Sequence, residues 1–244
     1  MILPSGLVLL RRKVAGIPML MLSRALPPRD LVAQLAQQGV HRLPLLLSPE
    51  RACTLPRALR IGGRRAMWRL AIAGPEAERR RALHQNWRHQ LGQAERSGVR
   101  VVHSALAPDH RLLTDDAVQA QHRGYRNWPV PLTQAFARAA PEQTHLFTAR
   151  LKGHVVAHML FLRHGTRATY HIGHTTPTGR AHHAHNLILW QAARRLAALG
   201  VTIVDLGVET IPEIDRFKRR AGAIPHMTGG TWLRWSPLAR GPCP

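Results

Sequence analysis

Residues 145–174 read HLFTARLKGHVVAHMLFLRHGTRATYHIGH and hold three strand-like runs. The pairs Lys152-Gly153 and His164-Gly165 separate the runs, and their length and glycine content are typical of tight hairpin turns. We therefore predict strands over 145–150, 154–163 and 167–174, arranged as an antiparallel meander.

The chain after this meander predicts a crossover to a further strand. Residues 175–179 have the composition of a loop, 184–199 form an almost wholly apolar helix, and 201–206 form a short strand of the buried type. Strand, loop, helix and strand in this order predict a right-handed crossover unit. Two further elements are predicted beyond it, a helix over 212–220 and a strand over 231–235.

The chain before the meander predicts short strands and several helices. A long polar helix is expected over 76–96, ended by Gly98, with Leu83, Trp87 and Leu91 on one side. The remaining predicted elements are strands near 6–11, 18–23, 43–47, 67–72 and 99–103, and helices over 29–38, 114–123 and 133–139. The whole pattern predicts a mixed α/β (α+β) fold.

Charge restricts the partners that this sequence favours. The 244 residues include 35 Lys and Arg against 13 Asp and Glu, which leaves a formal net charge of +22. Such a balance favours contact with polyanions such as nucleic acid, nucleotide-linked substrates or anionic lipid, although an arginine-rich solvated surface is the plainer interpretation. The apolar run at 7–10 is interrupted by Arg11, Arg12 and Lys13, so we expect a cytoplasmic protein without stable membrane insertion.

The sequence predicts no metal centre and no disulfide. Its two cysteines, Cys53 and Cys243, form no CxxC pair and have no spacing typical of a thiolate zinc site. Histidines crowd one stretch, but no carboxylate or thiolate lies close to them in sequence. The stretch contains His171, His174, His182, His183 and His185.

Three stretches together resemble the Fem-type (FemABX-like) aminoacyltransferases, a family built from GNAT acetyltransferase-like units joined across a helical connection. They are Asn86-Trp87-Arg88-His89-Gln90-Leu91 with Ala94-Glu95-Arg96-Ser97-Gly98-Val99, then Ala184-His185-Asn186-Leu187-Ile188-Leu189-Trp190, and finally Asp205-Leu206-Gly207 with Arg216-Phe217-Lys218. The resemblance covers residues 76–235 and implies a GNAT-type acyltransferase fold.

Full Fem proteins are longer than this chain, so the resemblance implies that the first of the two GNAT units is reduced here. Residues 1–75 would form a reduced N-terminal GNAT-like subdomain, 76–98 a connecting helix and 99–238 one complete GNAT acyltransferase domain. The oligomeric state is not predicted.

The resemblance implies an N-acyltransferase that moves an acyl or aminoacyl group onto an amine by direct attack. No nucleophile motif such as GxSxG is present. The co-substrate would be aminoacyl-tRNA or acyl-CoA, with no tightly bound cofactor and tRNA as a partner. The loop at 177–184 lacks the Q/R-x-x-G-x-G/A pattern of CoA-dependent relatives, which weakens the case for CoA, whereas the short first unit favours a small-molecule or CoA-linked donor. The alternative is a non-catalytic RNA-binding or regulatory protein on the same scaffold.

Candidate catalytic residues follow the strand that ends the crossover. Asp205 and Glu209 are carboxylates suited to accept a proton or to orient an amine, although Asp205 could simply anchor a turn. The resemblance implies that Lys218 acts at the site of acyl transfer, where its charge would stabilise an oxyanion or bind a terminal phosphate. The plainer interpretation of Lys218 is one more basic residue on a basic helix.

Candidate binding residues flank the crossover helix and the segment before the meander. The first turn of the helix favours anions, although Asn186 also suits an ordinary helix start. The predicted donor-binding residues are His174, His185, Asn186 and Arg180. Aromatic side chains would stack on a base or shape the acceptor pocket, with core packing as the alternative. The predicted acceptor-binding residues are Tyr125, Trp128 and Tyr170.

Overall fold

A computed structural model describes residues 1–125 and 127–238, and these residues form twelve strands and eight α-helices. The strands are β1 (Leu10–Val14), β2 (Ile17–Ser23), β3 (Leu45–Ser48), β4 (Leu59–Gly62), β5 (Ala66–Ala71), β6 (Arg100–Ser104), β7 (Thr144–Leu151), β8 (His154–His164), β9 (Arg167–Thr175), β10 (Ile203–Val208), β11 (Ile224–Met227) and β12 (Thr231–Arg234). The helices are α1 (Leu31–Gln37), α2 (Glu76–Ala82), α3 (Gln85–Arg96), α4 (Leu112–Arg123), α5 (Val130–Ala139), α6 (Pro177–Ala181), α7 (Ala184–Ala198) and α8 (Pro212–Arg220).

The chain folds into two compact units. One contains Met1–Met67 together with the segment that begins at His226, and the other contains Trp68–Pro225. These bounds differ from the predicted division at residues 75 and 98, because β12 pairs with β3 and β4. The assignment of 1–75 to a reduced N-terminal GNAT-like subdomain, 76–98 to a connecting helix and 99–238 to a GNAT acyltransferase domain stays a prediction.

Alternating leucines build the first unit. Its sheet has the order β1-β2-β3-β12-β4, and the parallel pairing of β2 with β3 sets Leu20 beside Leu45 and Leu22 beside Leu47. All four side chains are buried. Because side chains in a strand alternate between faces, this period of two places the leucines on one face of the sheet.

The second unit contains the predicted meander and crossover. Strands β7, β8 and β9 pair antiparallel in sequence order, and β10 pairs parallel to β9 after the connection through α7. The turn between β7 and β8 holds Lys152 at φ 49° and Gly153 at φ 82°, two positive values as the tightest hairpins require. The meander and the parallel crossover are therefore confirmed.

Helices cover both faces of the meander. Phe147, Met159 and Phe161 join the core cluster of α3 and α7, whereas Leu146 and Leu160 join that of α4 and α5. Neighbouring residues of a strand point to opposite faces, so each strand supplies both cores. The result is a sheet between two helical layers, as in other mixed α/β domains.

Three predicted segments differ from the structure. The strand predicted near 6–11 lies at Leu10–Val14 as β1. The predicted helix over 76–96 is two helices, because Leu83 and His84 adopt extended backbone between them with ψ of 140° and 142°. His84 Nδ1 accepts a hydrogen bond from the Asn86 backbone amide and caps α3. The predicted loop over 175–179 contains the start of α6, since Thr176 Oγ1 accepts from the Gly179 amide and caps that helix.

Helix α7 is the buried centre of the second unit. Nine of its 15 residues are buried, and it packs against α3 and the sheet. Its length is short of the roughly 20 residues that a membrane span needs. Across residues 1–125 and 127–238, no helix combines the length and the apolar character required to cross a membrane.

Truncation of Leu91 tests the packing of α3 against α7. Leu91 is fully buried, so we expect Leu91→Ala to lower the free energy of unfolding by about 2 to 5 kcal/mol. Urea denaturation followed by circular dichroism measures the change. Gln93→Ala, at an exposed position of the same helix, should change stability by no more than about 0.5 kcal/mol. Equal stability of the two variants would contradict this packing.

Candidate functional site

Strands β9 and β10 part at their carboxyl ends. Their parallel pairing covers three residue pairs, from Ile203 with Arg167 to Asp205 with Thr169. Both strands nevertheless continue, β9 to Thr175 and β10 to Val208. Because the ladder ends while both strands go on, we infer that the strands diverge beyond this pair, and we call the space between their ends the wedge. Crevices at the carboxyl ends of strands are the usual ligand sites of open α/β sheets.

Strand β9 carries a bulge beside this wedge. Its register with β8 shifts, so that Tyr170 lies opposite Phe161 and Ile172 opposite Leu160, which leaves His171 as the extra residue. Bulges disrupt the local ladder and re-aim side chains, and they are frequent next to active sites. The bulge and the wedge therefore occupy the same half of β9.

Lys218 lies at the end of β10 and is only 4% exposed. Its Nζ donates to Val208 O at 2.8 Å and lies 3.6 Å from Asp215 Oδ1. Asp215 is held in turn, since it accepts from Trp68 Nε1 at 2.9 Å and from the Thr210 amide at 2.9 Å. Burial lowers the pKa of Lys218, and the Asp215 carboxylate opposes that shift. A buried and positioned cation thus faces the end of the strand.

Asp205 is buried in an ion pair rather than open to the wedge. Only 1% of the residue is exposed, and its Oδ1 lies 3.2 Å from Arg69 Nε on β5. A buried carboxylate requires such a partner, which gives Asp205 a structural role whatever its part in chemistry. Glu209 follows β10 and is exposed to solvent. The roles of both as proton acceptors stay predictions.

A polar network connects α4 and the segment before α5 to the bulge. Asp116 is buried and accepts from Tyr125 Oη at 2.6 Å and from Asn127 Nδ2 at 3.1 Å. Asn127 Nδ2 also donates to His171 O, and Gln119 Nε2 donates to Tyr125 Oη. Burial, with the hydrogen bond to Asp116, raises the pKa of Tyr125 to about 12. Tyr125 is therefore a neutral phenol near neutral pH.

The three predicted acceptor-binding aromatics lie around the bulge but differ in access. Trp128 is 45% exposed, and its ring centroid lies 4.8 Å from that of His171. Tyr170 packs against the core near Phe161, and its hydroxyl lies so close to Gly173 that a Cβ there would clash with it. Trp128 is thus the most exposed of the three side chains and the most accessible to a ligand, whereas Tyr170 is packed against the core.

The predicted donor-binding residues surround the start of α7. His185 Nε2 bonds to His174 O at 3.1 Å, and burial lowers the pKa of His185. Asn186 is 5% exposed and donates to Gln90 Oε1 on α3. Arg180 is exposed and donates to Thr175 O. His174, His185 and Arg180 all contact the end of β9 or belong to it, whereas Asn186 connects the two helices.

The histidines of this region do not form a metal centre. Within the two described stretches, no group of three or more His, Cys, Asp or Glu side chains is placed to hold a metal ion. Of the two cysteines, Cys53 is a free thiol and Cys243 lies outside the described residues. His171 instead forms a hydrogen bond with Thr133 Oγ1, and His185 forms one with the His174 carbonyl oxygen.

A basic groove runs along α3 to the start of α7. Its volume is about 710 Å³, and an adjoining cavity of about 330 Å³ shares Gln93, Arg96 and His183 with it. The groove lining contains no carboxylate; it consists of Arg80, Gln85, Asn86, Arg88, His89, Gln90, Gly92, Gln93, Arg96 and His183. Such a lining suits phosphate groups.

Comparison with protein families identifies this arrangement. Residues 51–219, more than half of the chain, match the family described as the acetyltransferase (GNAT) domain. The chain belongs to the GNAT acetyltransferase family. This GNAT protein is therefore an acyltransferase, and the predicted GNAT-type fold is confirmed. A comparison with curated protein sequences finds no match.

Solved structures with this fold extend over nearly the whole GNAT chain. FemX matches at a TM-score of 0.71 with 11% identity, covering 94% of this chain and 84% of its own. L-PGS from Bacillus licheniformis matches at 0.54 with 9% identity, covering 99% and 84%. The DUF2156 domain of an Agrobacterium fabrum protein described as a lysylphosphatidylglycerol synthetase matches at 0.56 with 11% identity, covering 97% and 84%. The predicted Fem-like membership is confirmed at the level of fold.

The residues that hold the candidate side chains in place were not predicted from the sequence. Asp215 precedes Lys218 by three positions on α8, a spacing that puts two side chains on one helix face and could have predicted the pair. Asp116 gave no such signal, because its partners Tyr125 and Asn127 lie after the end of α4. Trp68 and Arg69 are far from their partners in sequence and are brought to them only by the sheet.

Replacement of Asp205 separates its structural role from a catalytic one. Asp205→Asn would leave the Arg69 guanidinium buried without its ion pair, so we expect the free energy of unfolding to fall by about 3 to 5 kcal/mol. Chemical denaturation measures the loss, and the double variant Arg69→Met with Asp205→Leu should recover much of it. A fully stable Asp205→Asn variant that lacks transfer activity would instead support the proton-acceptor role.

Proposed function

We propose that this GNAT protein is an N-acyltransferase that moves an aminoacyl group from aminoacyl-tRNA onto an amine by direct attack. The proposal rests on the position of Lys218, whose buried ammonium group is held at the carboxyl end of β10 by a hydrogen bond to Val208 O. Aminoacyl-tRNA occurs in the cytoplasm, which is where we place the reaction. Acyl-CoA is the competing donor within the same chemistry.

Lys218 is suited to stabilise the charge that develops during transfer. An ammonium group has three N–H donors, and here two of them have partners in Val208 O and the Asp215 carboxylate. The third is the one we assign to the substrate. A preorganised cation in a site shielded from water stabilises an oxyanion more than it would in bulk solvent.

The reaction needs no covalent intermediate on the protein. The acceptor nitrogen attacks the acyl carbon, a C–N bond forms, and the carbonyl oxygen becomes an oxyanion beside Lys218. The C–O bond of the tRNA ester then breaks, the tRNA ribose oxygen leaves with a proton, and the amine loses one. We assign Glu209 to accept the amine proton, since it is an exposed carboxylate on the loop after β10.

The basic groove supports a donor with many phosphates. It lies along α3 and ends at His183, next to the start of α7, so a bound backbone would lead toward the wedge. The loop that binds pyrophosphate in CoA-dependent relatives is replaced here by α6, whose Gly179 amide already donates to Thr176 Oγ1. This amide is not available to a phosphate, which favours tRNA over CoA.

Trp128 and the network around Asp116 are the acceptor side of the proposal. Trp128 offers an exposed aromatic surface, while the hydrogen bonds of Asp116 hold Tyr125 and Asn127 against β9. A rigid polar wall opposite an aromatic face positions an amine for attack, which is the principal source of catalysis when no nucleophile is present.

Removal of the Lys218 charge tests the mechanism. Lys218→Met keeps the length of the side chain, so we expect normal folding and a loss in kcat of at least about 100-fold, as for other oxyanion donors. Transfer of a labelled aminoacyl group to an amine acceptor measures the rate. The control Arg219→Met changes an exposed neighbour on α8 and should retain full activity. Equal rates for the two variants would contradict the role of Lys218.

Binding of charged tRNA, uncharged tRNA and acetyl-CoA tests the donor. We expect charged tRNA to bind most tightly, with an affinity that falls as salt rises because phosphate contacts release counterions. The double variant Arg88→Ala, Arg96→Ala should make the slope of log K against log salt concentration shallower. The change should be about one for each phosphate that the groove no longer neutralises. The matched control is Arg11→Ala, Arg12→Ala, which removes the same charge from β1. Tighter binding of acetyl-CoA would contradict a tRNA donor.

A further inference from the structure

A further cavity lies at the opposite end of β10 from Lys218. Its volume is about 310 Å³, and it opens where β5 ends and β10 begins, since the Ile72 amide donates to Thr202 O there. Most of its wall is apolar; the lining includes Leu70, Ile72, Leu83, Trp87, Leu189, Trp190 and Ala193. The wedge lies at the other end of the same strand, so the two sites are separate.

Two polar side chains in this wall have hydrogen-bond donors without acceptors. Trp87 is 1% exposed, and its Nε1 is buried with no partner in the described part of the chain. Arg79 lines the same cavity, and its Nε and Nη1 are likewise buried without partners among the described residues. Unpaired buried donors destabilise a fold, so their presence beside one cavity points to an acceptor that a ligand would supply.

The nearby acidic groups do not satisfy Arg79. Glu76 is paired with Arg194, whose Nε lies 2.9 Å from its Oε2, and Glu78 is exposed at the rim of the cavity. The Arg79 guanidinium instead lies over the ring of Trp190, 5.7 Å from its centroid. Burial lowers the pKa of Arg79, and the Glu76 carboxylate opposes that shift without forming a hydrogen bond to the buried Nε or Nη1.

We propose that this cavity binds a compact apolar carboxylate, with the acid group on the N–H groups of Arg79 and Trp87 and the apolar body against Leu70, Leu189 and Trp190. The volume is at the small end of ligand sites, which suits a molecule with a single aromatic ring or a short branched chain. Guanidinium and carboxylate form paired hydrogen bonds of matching geometry. Arg79 is partly exposed at the mouth, so rotation of its flexible side chain admits the ligand.

Titration with 3-phenylpropionate, 3-phenylpropan-1-ol and 3-phenylpropylamine tests this proposal. We expect the acid to bind saturably, the alcohol to bind at least about tenfold more weakly, and the amine not to bind, because only the acid brings acceptors to both donors. Calorimetry measures the affinities, and a change in the tryptophan fluorescence of the protein, to which Trp87 and Trp190 contribute, reports occupancy. Neither readout depends on acyl transfer, so the result is independent of the proposed function.

Variants assign the contribution of each donor. Trp87→Phe removes one unpaired N–H, so we expect unchanged or higher thermal stability and about fivefold weaker binding of the acid. Arg79→Met should make the acid bind no better than the alcohol. Arg81→Met, on the exposed side of α2, is the charge-matched control and should leave binding unchanged.

Two results would overturn the proposal. One is the absence of saturable binding of 3-phenylpropionate to the wild-type protein. The other is an advantage of the acid over the alcohol that persists in Arg79→Met, since the carboxylate would then be recognised elsewhere. Loss of that advantage in Arg79→Met, with Arg81→Met unchanged, supports the site.

Discussion

The separation of β9 from β10 after Thr169 and Asp205 is the constraint on which the site depends. Up to that pair the strands share a parallel ladder, and beyond it they diverge while remaining extended. Beyond it, the carbonyl groups of His171, His174 and Val208 accept hydrogen bonds from side chains instead of joining a ladder between the two strands. The bulge at His171, the start of α7 and the cation of Lys218 all lie at this opening.

One buried and one half-buried carboxylate maintain that geometry. Asp205 pairs with Arg69 and attaches β10 to β5, while Asp215 receives Trp68 Nε1 and stays close to Lys218. Both pairs join residues of β5 to elements more than a hundred positions later in the chain. Charges inside a protein require such partners, so the position of β5 and the charge at the wedge depend on one another.

Features that depend on neighbouring residues in the sequence were predicted better than features that depend on distant residues. The meander was predictable because strand alternation and glycine turns are local signals, and the apolar stripe of α3 had helical spacing. The break at Leu83 and His84 was not predicted, because the apolar spacing continues through it as in a single helix. His84 Nδ1 nevertheless caps α3 and starts a new helix there. The start of α6 was missed for the same reason, a cap from Thr176.

By itself, the sequence determined the mixed α/β class, the order of the elements around the crossover and the resemblance to the Fem-type family. These depend on periodicity, turn residues and short motifs, which act over a few residues. Only the tertiary structure decided that Asp205 is paired with Arg69, that Trp68 donates to Asp215 and that Asn127 holds the bulge. Each of these contacts joins segments that are separate in the chain, so none of them can be predicted from local sequence patterns.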